Sequence, residues 1–137
     1  MKMTLQEYFS TRDGIGVLAT ADREGRTDAA IYSTPHVFDN GTVAFIMRER
    51  LTHLNLQSND FATYLFIDAS THYQGIRLFL KKTKEETDSA LIAQMTRRHL
   101  TPEEDRAKGP KFLVHFEIEK VLPLIGSGEP PVEVMQS

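Results

Sequence analysis

The sequence predicts a mainly β protein: six strands in an antiparallel barrel, with helices at its periphery. Three observations point there. Thr42 to Met47 is an unbroken run of β-branched and apolar residues, and Asn40-Gly41 just before it is a strong signal for a tight hairpin turn. Phe112, Val114, Phe116 and Ile118 alternate with His115, Glu117 and Glu119, the pattern of a half-buried strand. The early connections are short and helical stretches are few, which favours an antiparallel sheet. Closing that sheet into a barrel would remove its exposed edges.

Taken in order, Thr4-Leu5-Gln6-Glu7 fits a capping box and opens a short helix to about Phe9. Gly14 and Gly16 end it, and Ile15–Thr20 reads as the first strand. Asp22-Arg23-Glu24-Gly25 is turn chemistry. A second strand is expected from Thr27 to Phe38, with Pro35 marking an edge or bulge because it cannot donate to a ladder. With the Thr42–Met47 strand these form a meander. A short helix follows over Leu51–Gln57, then strands at Phe61–Ile67 and Gly75–Lys82. Thr83-Lys84-Glu85-Glu86 reads as a second capping box, opening a helix to about Arg98 whose buried stripe is Leu91, Ile92 and Met95. Thr101-Pro102-Glu103-Glu104 starts one more short helix, stopped by Gly109-Pro110. This helical insert is expected to cover one mouth of the barrel. Residues 1–125 form one domain, and 126–137, rich in Gly and Pro, are expected to be a mobile tail.

The chain has 137 residues, which suits one domain with one core. Its formal net charge of −3 argues against nucleic acid or an acidic membrane as partner. It contains no cysteine, so disulfides, thiolate metal sites and thiol catalysis are excluded, and any redox chemistry must come from a bound cofactor. No stretch has the apolar length of a membrane span and MKMTLQEYF lacks a signal-peptide core, so the cytoplasm is the expected location.

The stretch with chemical promise is the corner after the Thr42–Met47 strand. There the chain passes through Arg48-Glu49-Arg50 into a helix. The first N–H groups of a helix lack intrahelical partners and face whatever lies at its N-terminus. Arg48 and Arg50, two apart, would share a face of a strand end, and Thr52 adds a hydroxyl. Together they could hold a phosphate by charge-assisted hydrogen bonds. The plainer reading is a pair of solvated arginines partly neutralised by Glu49.

This order of elements resembles the FMN-binding split barrel of the pyridoxamine 5′-phosphate oxidase-like superfamily. The likeness spans roughly residues 5–124. It rests on GIGVLATAD (Gly14–Asp22), GRTDAAIYSTPHVFDNGTVAFIM (Gly25–Met47), RLTHLNLQSND (Arg50–Asp60) and YQGIRLFL (Tyr73–Leu80). The resemblance implies FMN as cofactor, with its phosphate at Arg48, Arg50, Leu51 and Thr52. Arg50 would supply the charge that a lysine near this position often gives. Tyr32, Ser33, Thr34, Ile46 and Met47 would line the flavin ring, with His53 beside the site. The resemblance also implies a homodimer sharing two flavin sites, the partner contributing from Gln74, Gly75 and Arg77. True pyridoxamine-phosphate oxidases carry a C-terminal Trp and Arg-rich motif. This chain has no Trp, and LPLIGSGEPPVEVMQS has no Arg. FMN binding is therefore implied more strongly than vitamin B6 chemistry.

His36, His53, His72, His99 and His115 show no paired metal-ligand spacing, and a lone His is more often a surface or hydrogen-bonded residue. Only His53 and His72 fall beside the implied flavin site. Arg77 could simply pair with an acidic neighbour across the sheet. In a flavoprotein the cofactor carries the electron chemistry, so the lack of an acid–base pair does not exclude an oxidoreductase. Catalytic residues and substrate are unassigned. The alternatives are a non-catalytic electron carrier or flavin sensor, a haem-binding split barrel, or a deazaflavin protein.

Overall fold

The computed structural model describes residues 2–70, 72–87, 90–95, 103–104 and 109–133, with backbone alone for 93–95. Its elements are α1 (Leu5–Ser10), β1 (Gly14–Ala21), β2 (Thr27–Ile31), β3 (His36–Val37), β4 (Val43–Arg48), α2 (Leu51–Ser58), β5 (Phe61–Asp68), β6 (Gly75–Thr87), α3 (Ala90–Met95) and β7 (Lys111–Pro123). The seven strands form one antiparallel sheet in the order β2-β1-β5-β6-β7-β4-β3. Alternate residues point inward, as Val43, Phe45 and Met47 do from β4 and Tyr64 and Phe66 from β5. In a flat sheet β5 and β4 would stand three strand spacings apart, about 14 Å. The rings of Tyr64 and Phe45 are 5.0 Å apart, so the sheet is curled into a barrel around this core.

α1 plugs the barrel. Its N-terminus has the expected capping box, with Thr4 Oγ1 accepting from the Glu7 N–H and the Glu7 carboxylate accepting from the Thr4 N–H. Tyr8 and Phe9 then reach inward and meet Phe66 edge-to-face at 5.9 and 5.3 Å.

The expected second strand is two strands, which makes seven in place of six. Pro35 divides it, and β2 and β3 lie on opposite edges of the sheet. The expected meander therefore breaks at Pro35: β2 pairs with β1, whereas β3 forms its hairpin with β4 through the Asn40-Gly41 turn.

The second expected capping box is strand. β6 runs on to Thr87, and Lys84, Glu85, Glu86 and Thr87 pair with His115, Val114, Leu113 and Phe112 of β7. Register shifts near Phe79 and Thr83 let this long strand turn the barrel's corner. The ladder satisfies the backbone groups that a helix start would have left open, and so overrides the local signal. α3 begins later, and the rest of the helix expected to Arg98 lies outside the described residues, as do Thr101 and Pro102; Glu103 and Glu104 are helical. α3 covers the outer wall of β4 and β7, not a mouth: Ile92 packs on Ala44 and Leu113. The stretch expected to be a mobile tail makes contacts as far as Glu133. Val132 is fully buried and bridges to Met3, and the Glu133 N–H donates to the Met3 carbonyl.

Candidate functional site

The strand-to-helix corner forms as the sequence predicts. Arg48 closes β4, and Arg50 is the N-cap of α2 in extended conformation, φ −135° and ψ −175°. No side chain caps this helix start. The contrast with α1 is chemical. N-caps favour Ser, Thr, Asp and Asn, which accept from the open N–H groups, and the positive end of the helix dipole disfavours a cation. Arg50 is the opposite choice on both counts. The corner thus gathers an uncapped helix start and a guanidinium at one point, an arrangement that an anion would complete.

Tyr32 comes to the same point from the end of β2. Burial pushes its phenol pKa up, while the Thr52 side chain and the Arg50 charge, both beside it, pull it back. Its ring packs edge-to-face on Phe45 at 5.9 Å, and its carbonyl accepts from the buried Tyr64 hydroxyl. Thr52 is 3% exposed. Tyr32, distant in sequence from Arg50 and Thr52, therefore lies beside them. Ser33 and Thr34 are exposed on the connection that leaves Tyr32.

The other expected residues are placed differently. Arg48 donates from Nη1 to the Gly109 carbonyl at 2.8 Å, so one of its five donors serves the turn before β7. Met47 is buried in the barrel core, and Ile46 packs on the outer wall under α3, so neither side chain opens to the corner. Leu51 is half-exposed at the first helical position. His53 is buried and its ring meets half-buried Glu85 and exposed Gln57. His72 is exposed, against Tyr73.

Gln74, Gly75 and Arg77 open β6. Arg77 does not pair with an acidic residue among the contacts described: it donates to the Pro123 carbonyl at 2.9 Å and the Gly126 carbonyl at 2.5 Å. It shares one cross-strand row with Leu65, Val17 and Ile31. Ile31 and Arg77 are thus three strand spacings apart, about 14 Å. One chain does not bring Arg77 to the Tyr32 corner.

That row belongs to an outward face which sequence reading passed over. Ile15 and Ile31 are 55% and 73% exposed, and Ile67, paired with Ile15, is 37% exposed. Val17, Ala19 and Leu65 are half-buried beside them. α3 covers the outer wall at β4 and β7, but no described element covers this half. The signal was present: GIGVLATA is apolar at both parities, where a strand with one wet face would alternate with polar residues. Among the described residues no group of His, Asp and Glu is arranged to hold a metal.

No protein-family model and no curated protein matches the chain. Solved structures do. An F420 reductase aligns with TM-score 0.68 and 17% identity over 84% of this chain and 94% of its own. An FMN-binding protein from Syntrophomonas wolfei aligns with TM-score 0.66 and 18% identity over 85% of this chain and 81% of its own. The haem storage protein HutZ of Vibrio cholerae aligns with TM-score 0.65 and 19% identity over 89% of this chain and 94% of its own. The fold is the pyridoxamine 5′-phosphate oxidase-like split barrel. Structures sharing this split barrel thus differ in what their names say they bind.

Proposed function

We propose that this split-barrel protein binds FMN and acts as a cytoplasmic FMN-dependent oxidoreductase on a small molecule. The observation that carries the proposal is the start of α2, uncapped and carrying Arg50 at the N-cap beside Thr52 and Tyr32. That donor set fits one phosphate dianion: open backbone N–H groups, a guanidinium and two hydroxyls stand together, with Glu49, next to Arg50 in the chain, and Asp28, which acts on Tyr32, as the opposing charges. When bound, FMN would supply the hydride or electron transfer. The chain's own part is to bind and orient. Arg50, Thr52 and the α2 amides would hold the phosphate, and Tyr32 with Ser33 and Thr34 would border the ring. The S. wolfei protein's name supports this choice of cofactor.

The protein works as a homodimer in this reading. The uncovered apolar face on β2, β1, β5 and β6 is self-complementary in character, and a two-fold pair would bury it twice. Pairing these faces could also carry the partner copy's β6 start toward the corner that a single chain leaves 14 Å away, about three strand spacings. HutZ keeps a second reading in view, in which the same fold takes haem.

Purified apoprotein reconstituted separately with FMN and with haemin decides between them by absorption. Flavin bands that survive desalting, with FMN recovered on heating, support the proposal. A retained Soret band without retained flavin overturns it, and so does retention of neither.

A further inference from the structure

The eight residues of α2 bury little apolar surface. Its buried residues are Thr52, His53, Asn55 and Leu56, whereas Leu51 and Leu54 are 52% and 64% exposed. Helices of this length gain most of their stability from tertiary contacts. Here those contacts are polar and directional. Asn55 donates to the Thr20 hydroxyl at 3.1 Å, and Lys82 donates to the Leu56 carbonyl at 2.9 Å.

The densest group surrounds His53. Its Nε2 lies 3.1 Å from Glu85 Oε2, and its ring stacks on Phe112 at 3.9 Å with planes 13° apart. Gln57 Nε2 lies 3.1 Å from the same ring nitrogen, 3.1 Å from the His53 carbonyl and 2.9 Å from Glu85 Oε1. A primary amide has two hydrogens. Giving them to the carbonyl and to Glu85 Oε1 leaves the ring nitrogen free to donate to Glu85 Oε2, which assigns the proton to Nε2. Glu85 then accepts from both side chains. Lys82 Nζ, 3.5 Å from Glu85 Oε1, adds its charge. Burial raises the Glu85 pKa, but the hydrogen bonds from Gln57 and His53 and the charges of His53 and Lys82 leave it below the ordinary carboxylate range. Among the described residues the charged group that His53 meets is Glu85 of β6, with Lys82 beside Glu85; β7 offers it the uncharged face of Phe112.

We propose that His53 and Glu85 are positioning residues: they fix the first turn of α2 so that Arg50 and Thr52 stand where an anion meets them. His53 follows Thr52 directly, so a grip on its ring sets the rotation of that turn. This inference rests on the anion corner proposed above. It gives the unexpected strand continuation of β6 a role, since Glu85 reaches α2 from it, beside Lys82 at the end of the expected strand.

Two measurements test the proposal on the full chain. In the first, FMN and riboflavin affinities are compared for wild type, Glu85→Ala and Glu85→Gln. Losing one charge-assisted anchor should weaken FMN binding roughly tenfold, with riboflavin changed less than about twofold. Glu85→Gln keeps an acceptor for His53 and should recover most of the loss. In the second, amide exchange over residues 51–54 should quicken in Glu85→Ala while β5 amides keep their protection. If FMN and riboflavin weaken in equal proportion, or if β5 loosens with α2, Glu85 is only a structural residue and the inference fails. A wild type that discriminates FMN from riboflavin, with Glu85→Ala discriminating equally well, overturns the inference and leaves the corner standing. A wild type that does not discriminate overturns the corner itself, and the inference with it.

Discussion

Ile15→Asp tests the uncovered face and the shared-site model together. Ile15 lies on β1, points outward and is 55% exposed, so the substitution removes little from the barrel core. Fully burying an isoleucine contributes about 1.5–3 kcal/mol, so covering the part still exposed contributes about 0.8–1.7 kcal/mol per protomer. Two-fold symmetry counts each residue twice, giving about 1.6–3.4 kcal/mol, or roughly one to two and a half decades in dimer dissociation constant. Placing a carboxylate opposite an apolar partner adds a desolvation cost, so these figures are a lower bound. Sedimentation velocity across a hundredfold concentration range reads the shift, with a thermal melt to verify that the barrel is intact. Wild type should sediment as a dimer at micromolar concentration, and Ile15→Asp as a monomer with weakened FMN binding. The reasoning is refuted if wild type is monomeric yet binds FMN tightly, or if Ile15→Asp dimerises as wild type does.

Two further predictions concern the barrel. Gly75→Ala should destabilise it by at least the upper end of about 1–3 kcal/mol, because a Cβ there would lie 1.9 Å from the Phe66 carbonyl oxygen and β5 and β6 would have to part; urea unfolding measures the loss. Asp68→Asn should cost roughly 1.5–3 kcal/mol at pH 7 and make the acid limb of stability shallower. The N–H and hydroxyl of Ser70 hold the Asp68 carboxyl below its ordinary range, aided by Arg12 and opposed by burial. A depressed carboxylate contributes fully above its unfolded value, about 3.9, and loses that contribution as pH falls through the lower folded value. Urea melts at pH 7 and pH 3 should therefore show wild type and variant converging at the acid end; a constant gap would contradict this.

What could be read in the sequence followed the range of the interactions. Thr4-Leu5-Gln6-Glu7 forms its capping box because the contacts lie within one turn. Thr83-Lys84-Glu85-Glu86 has the same pattern but becomes strand, because β7, about thirty residues on, offers it a ladder. Pro35 announced a break, yet only the closed sheet decides that β2 and β3 part to opposite edges. The Arg50–Thr52 corner was legible because a strand end and a helix start adjoin in sequence, whereas the inward turn of His53 depends on Glu85 and Phe112, which no local pattern connects to it. Met47 sat in the expected strand, but the parity of β4 sends its side chain into the core. The uncovered outward face was written in the two-sided apolar character of β1, a signal that periodicity reading treats as an ordinary buried strand.

The claim that the start of α2 seats a cofactor phosphate is tested most directly by a four-way titration: FMN and riboflavin, each against wild type and Arg50→Ala, followed by flavin fluorescence quenching. A charge-assisted hydrogen bond to phosphate contributes about 1.5–3 kcal/mol, so Arg50→Ala should bind FMN one to two decades more weakly. Riboflavin, which lacks the phosphate, should bind both proteins alike. Equal FMN binding by wild type and Arg50→Ala would contradict the account, because Arg50 would then be a solvated cation at a helix start that holds nothing.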